Sequence, residues 1–136
     1  MKDLKRKIHY WCSDTMQNKI TGKGVVCAVL DTGITQHPDL VGRIVGWKDC
    51  VQGKKTIYDD NGHGTHVAGI LAGNGKSGRG LYSGMAPEAQ IFAVKVLNQR
   101  GGGKIRDVIN GIRYVLLKTK GNEDPDCQYF DWNSSS

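Results

Sequence analysis

The chain has 136 residues, 19 basic and 13 acidic side chains, a formal net charge of +6 and 38% hydrophobic residues. This length suits one domain with a real core and leaves no room for two full domains. The charged fraction of 24% and the 19 glycines are typical of a globular chain rather than a disordered or fibrous one. No segment approaches the roughly 20 apolar residues that span a bilayer, so we expect no membrane protein.

The positive charge is concentrated near the N-terminus. Residues 1–23 contain six basic and two acidic side chains, a balance of +4, whereas residues 118–136 have a balance of −2. A basic arm is one way to bind nucleic acid, but no cluster of lysine and arginine continues beyond residue 7. We therefore expect residues 1–19 to form a solvated arm and the chain to have no nucleic-acid partner.

The cysteines and the first residues bear on the compartment of the protein. The four cysteines contain no CxxC pair, which favours free thiols in a reducing compartment over a zinc site. The positively charged start of the chain is not followed by the apolar region of a signal peptide. Together these features predict a cytoplasmic protein, with secretion of a longer parent left open. The cysteines are Cys12, Cys27, Cys50 and Cys127.

The apolar segments predict an α/β domain. A β-branched run follows the turn signal Gly22-Lys23-Gly24 and predicts a strand that is buried on both faces, as in a parallel sheet. From His63 onward the apolar residues recur at helical spacing, with Asn61 and its neighbouring glycines as helix starters. Strands and helices then alternate, which is typical of a doubly wound sheet. The predicted elements are strands at 25–30, 44–47 and 91–97, helices from His63 and over 105–118, and a glycine-rich loop at 73–84.

This pattern ends after the second predicted helix. A crossover helix should return to the sheet, yet residues 118–136 contain Pro125, four acidic residues and three terminal serines. Such a segment does not form a central strand. The sequence therefore predicts a parallel α/β domain over residues 20–117 that is incomplete on its C-terminal side, followed by an atypical acidic tail over residues 118–136.

Two titratable residues fall where a parallel sheet collects its functional groups. Asp31 ends the first predicted strand and His63 begins the first predicted helix, so both are expected at the carboxyl ends of the strands. A carboxylate that orients a histidine is half of a nucleophilic hydrolase site. Spacing alone does not separate this interpretation from a turn-forming Asp31 and a polar helix starter at His63.

Five segments carry a recognisable pattern: GKGVVCAVLDTGI at 22–34, HPDL at 37–40, DNGHGTHVAGI at 60–70, GMAPEAQIFAVKVL at 84–97 and VINGI at 108–112. Together they cover about residues 20–117 and resemble the subtilisin-like serine proteases. The resemblance implies a parallel-sheet subtilisin-like fold and a serine endopeptidase that cleaves peptide or protein substrates through a Ser-His-Asp triad. It implies that Asp31 is the orienting carboxylate and His63 the general base. His66 then becomes a structural helix residue that packs against neighbouring elements.

The resemblance also implies a substrate-binding strand and raises the question of calcium. At Gly101, Gly102 and Gly103 the missing side chains allow a peptide backbone to approach and pair as an added strand, although an ordinary glycine loop is the alternative. Asp39 matches a position that is a calcium ligand in some members. The loop at 73–84 does not reproduce the usual partner ligands, so we expect no metal and no other cofactor.

The sequence departs from the family at the nucleophile. The family's Gly-Thr-Ser-Met-Ala-x-Pro motif and its oxyanion-hole asparagine are both missing. Ser83-Gly84-Met85-Ala86-Pro87 resembles the motif only in part, since it precedes a strand and lacks the glycine-threonine lead. A general base without a nucleophile cannot perform acyl transfer. The alternative to an endopeptidase is therefore an inactive truncated or frameshifted fragment that at most binds peptide, and neither substrate specificity nor oligomeric state can be predicted.

Overall fold

A computed structural model of the protein describes residues 20–78 and 83–119, and the elements follow the predicted order. The predicted arm at 1–19 and residues 120–136 of the predicted tail lie outside the described residues. The strands are β1 (Val26–Asp31), β2 (Ile44–Asp49) and β3 (Gln90–Lys95), the helices are α1 (His63–Ala72) and α2 (Ile105–Thr119), and two 3₁₀ turns cover Pro38–Leu40 and Lys76–Gly78.

The three strands form one parallel sheet in the order β1-β3-β2. The central strand β3 carries the apolar run Ile91–Val94, which is buried throughout, as expected for a strand covered on both faces. In the register of the sheet, Lys95 at the end of β3 lies opposite Asp31 of β1 and Asp49 of β2. The carboxyl ends of all three strands therefore carry charged residues and meet at one edge of the sheet.

The two helices cover opposite faces of the sheet. One core contains Ala68 and Ala72 of α1 together with Ile91 and Ala93 of β3. The alternate residues of β3, Phe92 and Val94, belong to a second core with Tyr114 of α2. The predicted α/β architecture is thus confirmed, as a partial α/β fold with one helix on each face.

A glycine allows α2 to pack close to the sheet. A Cβ atom at Gly111 would lie 2.6 Å from Cγ1 of Val96 and 3.1 Å from Cγ1 of Val94. The other apolar residues of the helix are less covered, and the Ile105 side chain is 80% exposed. The exposed apolar residues of α2 are Ile105, Ile109, Ile112, Leu116 and Leu117.

The prediction that the run at 25–30 is buried on both faces was wrong. Val26 is 37% exposed and Ala28 is also exposed. The physical reason is the position of β1, which pairs with β3 on one side and forms an edge of the sheet within the described residues.

Within residues 20–78 and 83–119, none of the helices is both long and apolar enough to cross a bilayer.

Candidate active site

Asp31 and His63 meet at the carboxyl end of β1. The Nδ1 atom of His63 lies 2.8 Å from Oδ1 of Asp31. The same carboxylate oxygen accepts a hydrogen bond of 2.7 Å from the backbone N–H of Thr32. The Asp31 side chain is 12% exposed, whereas the His63 side chain is 62% exposed. A sheltered carboxylate thus holds one ring nitrogen of an imidazole that remains open to solvent, which is the arrangement that fixes a histidine tautomer.

His63 owes its place to the first turn of α1. The N-cap of this helix is Gly62, whose φ of 102° lies in the left-handed region. The side chain of Asn61 accepts a hydrogen bond of 3.0 Å from the backbone N–H of His63. The predicted role of Asn61 and its glycine neighbours as helix starters is therefore confirmed, and it places the imidazole at the helix N-terminus.

Two glycines allow the end of β1 and the start of α1 to touch through their backbones. A Cβ atom at Gly64 would lie 2.3 Å from the carbonyl oxygen of Gly33. Gly33 itself has a φ of 123°, and a Cβ there would lie 2.0 Å from the carbonyl oxygen of Tyr58. No side chain fits at either position, so the loop after β1 lies in backbone contact with the start of α1 and with Tyr58.

Asp59 is a partly buried hydrogen-bond acceptor that the sequence did not indicate. Burial raises the pKa of this carboxyl, but hydrogen bonds from Thr65, Gly62 and Thr32 outweigh it and lower the pKa to about 2. The sequence signal for it was weak: an aspartate two residues before an asparagine-glycine pair, which is typical of turns. The carboxylate accepts from Thr32 Oγ1 at 2.8 Å, Asn61 N at 3.1 Å, Gly62 N at 2.7 Å, Thr65 N at 2.9 Å and Thr65 Oγ1 at 2.7 Å.

Lys95 is a second polar residue that the analysis did not single out. Its side chain is fully buried, and Nζ donates to the carbonyl oxygens of Thr32 at 2.6 Å and Leu97 at 2.8 Å. Its third hydrogen bond, of 2.8 Å, goes to Oδ1 of Asp60. An ammonium group has three donors, so all are used. Lys95 therefore joins the segment that follows Asp31 to the segment that follows β3, and a lysine inside an apolar strand was the available signal.

A cavity of about 290 Å³ lies beside Lys95. Its lining combines the ends of β2 and β3 with the start of the glycine-rich segment, and it includes neither Asp31 nor His63. The lining residues are Val51, Gln52, Asp60, Lys95, Asn98, Gln99 and Arg100.

The predicted substrate-binding glycines are exposed but do not form a strand. Gly101 has a φ of 78°, and its N–H donates to the carbonyl oxygen of Asn98 at 2.9 Å. Both backbone groups of Gly102 contact the same residue: the carbonyl accepts from Asn98 N at 2.7 Å, and the N–H donates to Asn98 Oδ1 at 3.2 Å. Gly101 and Gly102 thus belong to a turn closed by Asn98, with Gly103 directly after it, and the substrate role of all three stays a prediction.

The sequence model of the subtilase family matches residues 22–126. The chain belongs to the subtilase family. This confirms the family that the aspartate and histidine segments predicted, and solved structures agree with the fold. The structure titled sphericase matches 75% of this chain and 35% of its own, with 39% identity and a TM-score of 0.61.

Curated subtilases are also similar in sequence. Serine protease AprX of Bacillus subtilis (strain 168) is 52% identical over 105 residues, which are 77% of this chain and 24% of AprX. Thermitase of Thermoactinomyces vulgaris is 46% identical over 95 residues, which are 69% of this chain and 34% of thermitase. The chain therefore spans about a quarter to a third of the length of these relatives.

His66 differs from its expected environment. As predicted, His63 and not His66 meets Asp31. The expectation that His66 packs against neighbouring elements was wrong, since the residue is exposed. Its backbone N–H donates to the carbonyl oxygen of Gly62, which is the first hydrogen bond of the α1 ladder. The catalytic role of His63 stays a prediction.

Ser83 lies at the far end of α1 from His63. The segment after it is attached to the last turn of the helix: Gly84 N donates to the carbonyl oxygen of Gly73 at 2.6 Å, and Ala86 N donates to that of Leu71 at 2.7 Å. With a rise of about 1.5 Å per residue, the two ends of this helix are roughly 14 Å apart.

The carboxylate of Asp39 is engaged by the loop that follows α1. Oδ1 accepts from the backbone N–H of Ser77 at 2.8 Å, and this hydrogen bond lowers the pKa of Asp39. Within residues 20–78 and 83–119, no three or more histidine, cysteine, aspartate or glutamate side chains are grouped to hold a metal. The expectation that the chain holds no metal stays a prediction.

Proposed function

We propose that Asp31 and His63 are the orienting carboxylate and the general base of a subtilase serine endopeptidase site that cleaves peptide or protein substrates. The observation that carries the proposal is the 2.8 Å contact between His63 Nδ1 and Asp31 Oδ1, with the imidazole open to solvent. Membership of a family whose similar members include a protein named as a serine protease supports the same function.

In this proposal each ring nitrogen of His63 has its own role. With a proton on Nδ1, the imidazole donates to Asp31, and Nε2 keeps its lone pair for the hydroxyl proton of a serine nucleophile. When Nε2 has taken that proton, the carboxylate stabilises the imidazolium that forms. Nε2 then gives the proton to the leaving amine. The chain supplies the base and its orientation in this scheme.

We further infer that the 136-residue chain does not cleave peptides by itself. It lacks the family's Gly-Thr-Ser motif, and Ser83 follows α1 at the end opposite His63. A base without a nucleophile within reach cannot start acyl transfer. Asn98 already hydrogen-bonds both backbone groups of Gly102. In this proposal a peptide therefore pairs with Gly101–Gly103 only in a complete catalytic domain, and not in the isolated chain.

Inactivity of the isolated chain is tested with a fluorophosphonate probe and with casein. We expect no cleavage of casein and no covalent labelling of the purified chain in intact-mass spectra. Stoichiometric labelling at any serine, with Ser83 examined first by peptide mapping, contradicts the inference and makes that serine a nucleophile.

The role of Asp31 is tested by transplanting residues 22–117 in place of the matching segment of AprX and measuring peptidase activity. We expect an active hybrid, in which Asp31→Asn lowers kcat by about 10⁴-fold because the imidazole then adopts the wrong tautomer. Asp49→Asn is the matched control, since Asp49 ends the neighbouring strand β2 and touches neither Asp31 nor His63. A folded hybrid that keeps its kcat after Asp31→Asn contradicts the proposal.

A further inference from the structure

Asp31 and His63 belong to two segments that are separated by 31 residues in the chain. Asp31 is the last residue of β1, and His63 is the first residue of α1. At these positions both residues lie at the ends of their elements, so the ladder of the sheet and the ladder of the helix do not by themselves fix one against the other. Some other contact must set the distance between the carboxylate and the imidazole.

The start of α1 leaves four backbone N–H groups without helical partners, as in every α-helix. Each of the four is taken by a side chain from the neighbouring loops. Asp59 accepts from Gly62 N and Thr65 N at 2.7 and 2.9 Å, one through each carboxylate oxygen. Asn61 accepts from His63 N, and Thr32 Oγ1 accepts from Gly64 N at 2.8 Å. The first turn that carries His63 is thus held from outside the helix, mainly by Asp59 and Thr32.

The side chain of Thr32 connects this turn to Asp31. Its hydroxyl donates to Oδ1 of Asp59 at 2.8 Å and accepts from the N–H of Gly64, the residue after His63. Its own backbone N–H donates to Oδ1 of Asp31 at 2.7 Å. Thr32 is fully buried, so water does not compete for these contacts. A chain of short hydrogen bonds therefore runs from the Asp31 carboxylate through Thr32 to the backbone beside His63.

The backbone of Asp59 is attached to the segment that follows β1. Gly33 and Asp59 form an isolated antiparallel bridge, and Ile34 N donates to the carbonyl oxygen of Tyr58 at 3.1 Å. The main chain of Asp59 is attached to the loop after Asp31, while its carboxylate accepts hydrogen bonds from the first turn of α1. Asp59 therefore contacts both the loop after Asp31 and the first turn of the helix that carries His63.

We propose that Asp59 and Thr32 are positioning residues that set the distance and relative orientation of Asp31 and His63. The catalytic consequence rests on the proposed function, whereas the positioning itself concerns the geometry of the pair. Both oxygens of Asp59 face donors, so an amide cannot replace the carboxylate, because its NH₂ group would face an N–H group on one side or the other. A charge at this point also suits the positive end of the helix dipole.

The proposal is tested by measuring which ring nitrogen of His63 carries the proton. The measurement uses long-range ¹H–¹⁵N NMR spectra of the full 136-residue chain with labelled histidine. Spectra recorded well above the usual pKa of histidine report which nitrogen carries the proton, and a hydrogen-bonded Nδ1–H gives a protected low-field resonance. In the unaltered chain we expect His63 to hold its proton on Nδ1 and to show that resonance. In Asp59→Asn we expect the low-field resonance to be lost and the ring to become a mixture of tautomers.

Matched variants separate positioning from a general loss of stability. Asp49→Asn alters another carboxylate that accepts backbone N–H groups, from Val51, Gln52 and Lys54, but lies at the end of β2, and we expect the His63 signals to be unchanged. Thr32→Val removes the bridging hydroxyl and should reproduce the loss, whereas Thr32→Ser keeps the hydroxyl and should restore the signals. If Asp59→Asn does not fold, the comparison of Thr32→Val with Thr32→Ser decides.

The possible outcomes distinguish this proposal from the proposed function. An unaltered chain that lacks the His63 Nδ1–H resonance contradicts the Asp31–His63 pair itself. A chain that shows the resonance and keeps it in folded Asp59→Asn and Thr32→Val contradicts only the positioning role. Equal loss in Asp49→Asn assigns the effect to general destabilisation and also overturns the proposal.

Discussion

The ammonium group of Lys95 is fully buried, and the free energy lost by removing it from water is offset by its hydrogen-bond partners. Removing a charge from water costs several kcal/mol, and it is tolerated where hydrogen bonds and an opposite charge surround the group. Lys95 has two carbonyl acceptors, from Thr32 and Leu97, and the carboxylate of Asp60, which is 31% exposed. The ammonium group therefore supports the loop that follows Asp31, although it hydrogen-bonds to neither Asp31 nor His63.

Removal of this ammonium group should strongly destabilise the chain. We expect Lys95→Met to lower the free energy of unfolding by about 3 kcal/mol, because two buried carbonyls and a partly buried carboxylate lose their donor. Urea denaturation followed by far-UV circular dichroism measures the change. Lys104→Met is the control, an exposed lysine whose substitution should stay within about 0.5 kcal/mol. Equal effects of the two substitutions contradict the role given to Lys95.

The carboxylates of Asp59 and Asp49 make the free energy of unfolding depend on pH. The folded pKa of Asp59 is about 2 against an ordinary value of 3.8, and hydrogen bonds from Tyr58 and turn amides likewise lower the pKa of Asp49 against the opposing effect of burial. A depressed folded pKa stabilises the native state above the unfolded pKa, and this contribution is lost as the pH falls through the folded pKa.

We therefore expect the free energy of unfolding to decrease as the pH falls from about 4 to about 2. Urea denaturation at a series of pH values measures this slope. Asp59→Asn should be less stable at neutral pH and should show a shallower acid slope, since one of the titrating groups is gone. An unchanged slope in this variant means that Asp59 is not the group responsible.

At the scale of elements, apolar periodicity predicted which helices and strands exist better than it predicted how buried their residues are. The second helix, predicted over 105–118, is α2 at Ile105–Thr119, and the strand predicted over 91–97 is β3 at Gln90–Lys95. The burial of β1 was predicted wrongly, because an apolar run reports the character of a strand and not whether a neighbour pairs with each of its edges. The environment of His66 was missed for a similar reason, since a motif fixes spacing but not what packs against each helix face.

The two helices contain glycines with opposite surroundings, and these predict opposite effects of alanine. Gly111→Ala should destabilise by about 1–3 kcal/mol, because its Cβ would lie 2.6 Å from Val96 Cγ1 and would push α2 off the sheet. Gly69→Ala in α1 meets nothing within 4 Å and should stabilise by about 0.5–1 kcal/mol through helix propensity. Thermal and urea unfolding of both variants measure the difference. Destabilisation by Gly69→Ala equal to that by Gly111→Ala contradicts the close packing inferred at α2.

For the molecule as a whole, the sequence predicted the pair of Asp31 and His63 but not the polar residues that hold the segments around it. Asp31 and His63 could be found because each follows or begins a recognisable element within a family motif. Asp59 and Lys95 could not, because each also depends on a partner far away in the chain: Lys95 contacts Thr32 across 63 residues, and Asp59 contacts Thr32 across 27. Polar contacts between such distant residues leave no periodic signal, and only the folded chain shows that both residues converge on the loop after β1.

The central claim is that His63, held by Asp31, is the general base of a subtilase site, and it is tested most directly by comparing two histidine variants of the AprX hybrid. We expect His63→Ala to lower kcat by about 10⁶-fold, because the base and its orientation are both lost. His66→Ala, three residues away on the same helix and exposed, should keep kcat within about tenfold of the unaltered hybrid, since a surface substitution away from the pair changes little. Full activity in His63→Ala, or a larger loss in His66→Ala than in His63→Ala, would contradict the claim.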